Sequence, residues 1–419
     1  MAAVLTCGLA VPPAAQAQTI QDREWFLDAM QARQMWQVST GKGVTVAVID
    51  GGVDATAPEL KGQLLPGKDY VGGGDGWQDA DGHGTAMAML IAGNGASGSG
   101  VMGLAPGARI LPLNVAPQGA NNPARAAQNI AEAIHYATDH GAKVLNISLA
   151  IRTSESSSED RAPLEPAIKY ALSHGSLVFA GAGNDGDKGN PVAYPAATPG
   201  AVGVSAVDQS WTVTKFSTYG PQIALSAPGK DMPGRCSKSL GSQQGYCSGS
   251  GTSEATAIAS ASAALIWAKH PDWTNNQVLR VMINTAGKPK SGKIPSIYGG
   301  YGAVRPRIAL LDTPGDPGPP NVNPLFPNLF ANSPSPSASK SSAPAPDGQA
   351  TAAKSSNSKT MLWVGLGIGG AVVLGGLAAA VIVRRRKNTQ GLPATAPVPP
   401  LLGNYPGPMP PPPPNPYQR

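Results

Sequence analysis

Short runs that are apolar at almost every position recur along the chain: VTVAVI (44–49), RILPLNV (109–115), VLNISLA (144–150), SLVFAGA (176–182) and AVGVSAV (201–207). None alternates strictly between apolar and polar residues, which marks strands covered on both faces rather than one. Between them lie stretches with apolar residues at helical spacing. PARAAQNIAEAIHYATDHG stops at Gly141 and PLEPAIKYALSHG stops at Gly175; glycine just past the last turn is a frequent helix stop. A later stretch, GSGTSEATAIASASAALIWAKHP, passes from a glycine-rich turn through small residues into an apolar helix that ends before Pro271. Strand, helix, strand in this order predicts an α/β fold with a mainly parallel sheet. In such folds reactive groups gather at the carboxyl ends of the strands.

The pattern changes after residue 313. Residues 314–360 are rich in Pro, Ser and Ala, with SPSPSASKSSAPAPDG at their centre. Such a composition cannot bury enough surface to fold and reads as an extended linker. MLWVGLGIGGAVVLGGLAAAVIV (361–383) has 23 residues and no charge, enough for a helix to cross a bilayer core of about 30 Å. RRRK follows at 384–387, and the positive-inside rule puts that end in the cytoplasm. The tail, 384–419, ends in PGPMPPPPPNPYQR and reads as polyproline II. At the other end, MAAVLTCGLAVPPAAQA (1–17) is apolar and closes on Ala15-Gln16-Ala17, a small-x-small cleavage signal. The expected organisation is a signal peptide (1–17), a folded extracytoplasmic domain with an N-terminal extension (18–313), a linker (314–360), a single transmembrane helix (361–383) and a cytoplasmic tail (384–419), placing the protein in the cell membrane.

Composition narrows the partners. Charged residues are 13% of the 419, and the net charge of +6 is uneven, since RRRK alone supplies four positive charges. There is no basic stripe with interleaved aromatics, which excludes nucleic-acid binding. Of the three cysteines, Cys7 lies in the leader and leaves Cys236 and Cys247. An even count in an exported chain reads as a disulfide closing a short loop, two free thiols being the alternative.

One histidine stands out. His83, in DGHGTAMAMLIAG (81–93), is wedged between glycines ahead of small and apolar residues. A packed core does not need an imidazole there, and a solvated face would not be this apolar, so a partner is expected. Asp50 directly follows VTVAVI, and Gly51 and Gly52 turn the chain after it. A carboxylate at that strand end can accept from an imidazole N–H and fix its tautomer. Ser253 opens the helix after the GSGTS turn, where a helix N-terminus favours developing negative charge and a backbone N–H can donate to an oxyanion. Asn184, in FAGAGND just past a strand, offers a side-chain amide as a second donor. Taken singly these are a turn aspartate, a helix-capping serine and a turn asparagine. His135, His140, His174 and His270 fall late in helices or beyond them and read as surface residues; Asp79 and Asp81 read as a polar turn rather than a cation site.

Together, AVIDGGVD, DGHGTAMA, FAGAGND and GTSEATA resemble, in order, the four signature segments of the subtilisin-like serine peptidases, the subtilases. The Asp…His…Ser chain order is the one known for subtilisin itself. The resemblance covers about residues 24–310. The layout of exported domain, proline-rich stalk and one C-terminal span is similar to that of the mycosins, the membrane-anchored subtilases of actinobacterial type VII secretion systems. REWFLDAMQARQMWQVSTGKGVTVAVIDGGVD also resembles the start of a mycosin.

The resemblance implies a three-layer subtilisin-like α/β fold and a serine endopeptidase acting on secreted proteins. Ser253 would be the nucleophile, His83 the general base and acid, and Asp50 the residue orienting the imidazole. Asn184 and the Ser253 N–H would hold the oxyanion. Ser148, Leu149 and Ala150, in NISLA, match the segment that pairs with substrate backbone as an added strand. No cofactor and no metal is implied. The partners implied are peptide or protein substrates, the membrane and subunits of the type VII secretion complex; the alternative function is a structural subunit of that complex with little or no proteolytic role. Pro233–Ser248 would be a surface loop braced by the cysteine pair. Three positions depart from the family pattern: Gly51 where Ser or Thr is usual, Ala257 in place of proline, and Glu254 where an apolar or aromatic residue is usual. Glu254 pointing inward would oppose an oxyanion and raise the His83 pKa; pointing outward at a helix's first turn it would be harmless.

Overall fold

The computed structural model describes residues 20–329 except 99, 117–121, 236–244 and 290. Its strands are β1 (Thr45–Asp50), β2 (Lys68–Asp69), β3 (Arg109–Asn114), β4 (Val144–Ile147), β5 (Ile151–Arg152), β6 (Leu177–Gly181), β7 (Ala193–Tyr194), β8 (Val202–Val207), β9 (Ile223–Pro228), β10 (Met232–Arg235) and β11 (Tyr246–Gly249). The α-helices are α1 (Trp25–Ala29), α2 (Ala32–Trp36), α3 (His83–Ala92), α4 (Pro123–Asp139), α5 (Ser158–Arg161), α6 (Leu164–Ser173), α7 (Thr252–Lys269), α8 (Asn275–Thr285) and α9 (Pro306–Leu311). Seven strands form one sheet in the order β2-β3-β1-β4-β6-β8-β9. Every pairing within it is parallel, as the unalternating apolar runs predict. From β1 the chain passes to the edge strand β2, returns to β3 beside β1 and then builds outward on the other side from β4, so a topological switch point falls at β1, where α/β sheets open a crevice.

Side chains of successive residues point to opposite faces, and both faces are covered. Val46 and Val48 join the core beneath α3, α7 and α8; Ala47 and Ile49 join a second core beneath α4 and α6. The helix α7 is buried along nearly its whole length, which explains its run of Ala and Ser: small side chains let a helix lie close across the sheet on every side. α4 and α6 end before Gly141 and Gly175 as expected, both glycines in the left-handed region (φ +75° and +82°).

The structure departs from the sequence reading in several places, among them β10 and β11, which pair antiparallel at the two ends of the expected surface loop Pro233–Ser248. VLNISLA is strand only to Ile147, and Ser148–Ala150 leave the sheet. The strand β9 went unrecognised. Most informative is the stretch after 313, expected as stalk: it is held against the start of α8. Arg280 donates to the carbonyls of Pro317 (2.8 Å), Pro319 (3.1 Å) and Val322 (2.6 Å). Gln277 donates to Gly318 O (3.0 Å), and Asn276 and Thr274 to Pro320 O (2.8 and 3.0 Å). A proline-rich segment has few N–H groups to build its own structure, but its carbonyls are free to accept, and α8 supplies donors. The proposed transmembrane segment 361–383 lies outside the described residues, as do the leader 1–17 and the tail; among the described residues no helix is long and apolar enough to cross a membrane.

Candidate active site

Four strand ends converge on one cleft of about 310 Å³, lined among others by Asp50, His83, Ser148, Asn184 and Ser253. Asp50 is the last residue of β1 and is 1% exposed. Its carboxylate faces the ring of His83, the first residue of α3, with Oδ1 2.8 Å and Oδ2 3.0 Å from Nδ1. A carboxylate can only accept, so Nδ1 carries the proton and Nε2 is left for the cleft. Gly51 N donates to the same Oδ1 (2.7 Å). Asp50 holds the imidazole's pKa well above its ordinary value, first by its charge and then by the hydrogen bond; burial opposes this. Glycine on either side of His83 is a steric requirement at Gly84, where a Cβ would lie 2.1 Å from the carbonyl oxygen of Gly52.

The Asp79–Asp81 turn serves α3. Asp79 accepts from Gly82 N (2.9 Å), Thr85 N (2.8 Å) and Thr85 Oγ1 (2.6 Å), and Asp81 from His83 N (2.9 Å). These bonds satisfy first-turn donors and fix where the histidine starts. Burial raises the Asp79 pKa to about 6 against the effect of those bonds. Among the described residues no group of three or more His, Cys, Asp or Glu is arranged to hold a metal ion.

Ser253 is the second residue of α7. Its backbone N–H falls in the first turn, where donors lack intrahelical acceptors. Asn184 is fixed by its neighbour: Thr252 N donates to its Oδ1 at 2.8 Å and Thr252 Oγ1 at 3.1 Å. A backbone N–H can only donate, so the amide oxygen must face Thr252, which turns the Nδ2 group away from it.

Ser253 Oγ donates to the carbonyl of Ser148 (3.2 Å), while Ser148 Oγ donates to the carbonyl of Ser253 (3.2 Å). Behind this reciprocal pair, Asn146 Nδ2 donates to Ser148 Oγ (3.0 Å) and Ser260 Oγ to Asn146 Oδ1 (3.1 Å). Asn146 and Ser260 are fully buried. This polar chain ties the end of β4 to α7 and sets their spacing. Sequence reasoning missed it; buried polar residues inside VLNISLA and inside an otherwise apolar helix were the available signal.

The structure therefore brings Asp50, His83, Asn184, Ser253 and Ser148–Ala150 to one cleft. The imidazole is engaged with Asp50, and the serine hydroxyl rests on Ser148 rather than on His83; such bonds are often loose until substrate is present. His140 and His174 stack on Tyr136 and Tyr170, His135 lies tilted against Tyr170, and His270 stacks on Trp273; none of the four lines the cleft. Glu254 is turned inward, 9% exposed. Cys236 lies outside the described residues.

The subtilase family model matches residues 41–302. Thermitase of Thermoactinomyces vulgaris is 33% identical over 266 residues, covering 64% of this chain and 89% of that protein. The cell wall-associated protease of Bacillus subtilis (strain 168) is 35% identical over 276 residues, which are 64% of this chain but only 29% of that protein. Among solved structures, MycP1 from the ESX-1 type VII secretion system superposes with a TM-score of 0.61 at 28% identity, covering 71% of this chain and 88% of that one. The periplasmic assembly of the ESX-5 inner membrane complex contains a chain with a TM-score of 0.59 at 29% identity, covering 72% and 86%.

Proposed function

Since the chain belongs to the subtilase family, we propose that it is a membrane-anchored extracytoplasmic serine endopeptidase that cleaves peptide bonds of secreted proteins and works with a type VII secretion complex. The observation that carries the chemistry is the buried Asp50 carboxylate gripping His83 Nδ1 at 2.8 and 3.0 Å in the cleft that holds Ser253. Ser253 Oγ leaves the Ser148 carbonyl by rotating about its side-chain bond, attacks the substrate carbonyl carbon and gives its proton to His83 Nε2. Asp50 stabilises the imidazolium and keeps its tautomer. Asn184 Nδ2 and the Ser253 N–H donate to the oxyanion. His83 returns the proton to the leaving amine, and water then releases the acyl group by the same route. Ser148–Ala150 pair with substrate as an added strand, which their departure from β4 leaves free to do.

The secretion link is supported by the mycosin structures named above, and the anchor by the uncharged segment 361–383 followed by RRRK. The cysteine brace is supported by the antiparallel pairing of β10, which ends one residue before Cys236, with β11, which carries Cys247.

A fluorophosphonate probe applied to the full chain in detergent tests the nucleophile: labelling of the wild type and none of Ser253→Ala is expected, and an unlabelled wild type would sink the proposal. A second reading, a structural subunit of the secretion complex, is favoured by the fold shared with a chain of the ESX-5 periplasmic assembly. Complementing a deletion strain with Ser253→Ala separates the two. Restored secretion assigns the secretion role to structure rather than to cleavage.

A further inference from the structure

A buried carboxylate outside the chemistry above belongs to Glu59, in the short turn Pro58–Leu60, where it is 0% exposed. Its backbone is tied to the end of α3, since Asn94 N donates to the Glu59 carbonyl (2.9 Å). Its side chain reaches the β10–β11 hairpin. Tyr246 Oη donates to Oε1, and Arg235 Nη1 stands 3.9 Å from Oε2. Arg235 and Tyr246 lie opposite each other in the hairpin register, so one carboxylate meets a residue of each strand at the same rung. Glycine keeps the space open: a Cβ at Gly100 would lie 2.5 Å from Oε1. Burial, and then the bond to Glu59, raises the Tyr246 pKa to about 12, so the phenol keeps the proton it donates.

The hairpin held in this way lies between the two groups that must exchange a proton. On the β10 side, a Cβ at Gly234 would stand 3.0 Å from the Cβ of Ala86, three residues beyond His83 on α3, so strand and helix are in close contact. On the other side, β11 ends at Gly249 and Ser253 follows four residues later. Asp231 N donates to Ser250 Oγ (2.9 Å) and Gly251 N to Gly229 O (2.8 Å), binding the turn that leads to the nucleophile to the residues that lead into β10. One strand of the hairpin therefore touches the helix of His83, the other delivers Ser253, and Glu59 fixes both to the body of the domain beside α3. As a stabiliser the ion pair is poor. Among the described residues neither Oε2 nor Arg235 Nη1 has a hydrogen-bond partner, and the desolvation of a buried pair with such geometry offsets much of its attraction. What the cluster supplies is a single position for the hairpin.

We propose that Glu59 is a positioning residue: through Tyr246 and Arg235 it holds the β10–β11 hairpin against α3 and so sets the separation of Ser253 from His83. The inference rests on the peptidase reading above. Ser253 Oγ must turn from the Ser148 carbonyl (3.2 Å) towards His83, and the transfer that follows tolerates little error, since a displacement of about 1 Å can cost 10²-fold in rate. The Asp50–His83 bond does not pass through the hairpin and should survive its release.

The test uses the full chain in detergent with two substitutions. Tyr246→Phe removes the hydroxyl and keeps the ring; Glu59→Gln keeps the volume and removes the charge. At a temperature where near-UV circular dichroism shows each chain folded, kcat on a chromogenic peptide should fall about tenfold or more, with KM within about twofold of the wild type. Fluorophosphonate labelling of Ser253 should slow by the same factor. The downfield proton resonance of His83 Nδ1–H should stay where it is, which separates a displaced nucleophile from a damaged Asp50–His83 pair. Because both substitutions release one hairpin, the double variant should lose little more than the larger single loss. Hydrogen exchange followed by mass spectrometry should be faster than in the wild type over residues 83–92 and 246–256. An unchanged kcat in folded Tyr246→Phe overturns the proposal whatever the melting temperature does, because the cluster then serves stability alone. If Glu59→Gln does not fold, Tyr246→Phe and Arg235→Gln carry the same comparison. Should the wild type neither cleave nor label, that result counts against the peptidase reading, and hydrogen exchange decides the role of Glu59: unchanged exchange in Tyr246→Phe overturns it.

Discussion

At the carboxyl ends of the strands, Asp50 holds the His83 imidazole while Asp79 and Asp81 fix the start of its helix, and burial pushes two nearby acids upward, Asp79 to about 6 and Glu254 in the same direction. At the amino ends the arrangement is complementary. Asn275 bridges the carbonyls of Leu172 (2.9 Å) and Ser176 (3.0 Å) just before β6, and the neighbouring turn of α8 presents Thr274, Asn276, Gln277 and Arg280 to the carbonyls of residues 317–322. The difference separates two uses of polar groups. Donors matched to carbonyls hold a segment in place. Like charges packed together hold little, but they can set the proton affinity of a neighbour, which catalysis requires. Substitutions at the first end should therefore change rates more than stability, and substitutions at the second should do the reverse.

The largest expected effect is at Ser253. Ser253→Ala should lower kcat by about 10⁶-fold, the loss known for subtilisin, a member of this family. It removes one hydroxyl whose bond to the Ser148 carbonyl (3.2 Å) is not needed for folding, so the melting temperature should stay within a few degrees. A fall in Tm large enough to explain the lost activity would erase the contrast between the two ends. Asn184→Ala comes next. The expected loss is about 10²–10³-fold in kcat, again the subtilisin value for an oxyanion asparagine. Here the separation is less clean, because Thr252 N loses its acceptor at a cost of about 1 kcal/mol. Denaturant titration beside steady-state kinetics measures both. A variant that loses only the stability shows that Asn184 serves the turn and not the oxyanion.

How much of this was legible before the structure differs between the same two ends. Asp50, His83, Asn184 and Ser253 could be found because each sits where backbone geometry leaves a local trace: a strand run that stops, glycines that turn the chain, and small residues where α7 must pack closely. The parallel sheet was legible for a similar reason, since burial on both faces suppresses alternation. The Arg280 contacts left no such trace. They join residues 37 to 42 positions apart through carbonyls that every residue type carries, and composition reported only that 314–329 was unlike a core. Whether Glu254 points inward depended on Gly249 and Gly251 opposite it, a matter of packing that no local pattern encodes. β9 was missed because IALSAP mixes Ser and Pro into a strand whose burial is complete only within the sheet.

At the amino ends, Arg280→Ala removes a guanidinium that donates to three carbonyls. The loss should be about 2 kcal/mol, below the sum for three charged bonds because the carbonyls recover water. Lysine should rescue little, since a point charge cannot reproduce the fork. With cleavage assayed at 25 °C, kcat/KM should remain within about twofold of the wild type. A large rate effect would mean that the two ends are coupled through α8 and α7.

Thr274 is the smallest change and the most discriminating. Its hydroxyl accepts from Gln277 N (3.4 Å) in a capping box, while Gln277 Oε1 accepts from Thr274 N (3.0 Å) and the hydroxyl also donates to Pro320 O (3.0 Å). Thr274→Ala should cost about 1 kcal/mol, and Thr274→Ser should cost less because it keeps all three bonds. If residues 317–322 are held as one unit, the double variant Thr274→Ala/Arg280→Ala should lose less than the two single losses together, because a segment already released by one substitution offers nothing further to the other. The residual cost would be that of the cap alone. Strict additivity in a denaturant-melt cycle would instead mean that each donor holds its carbonyl independently, and the amino ends would then be a set of separate contacts rather than a counterpart to the coupled cluster around His83.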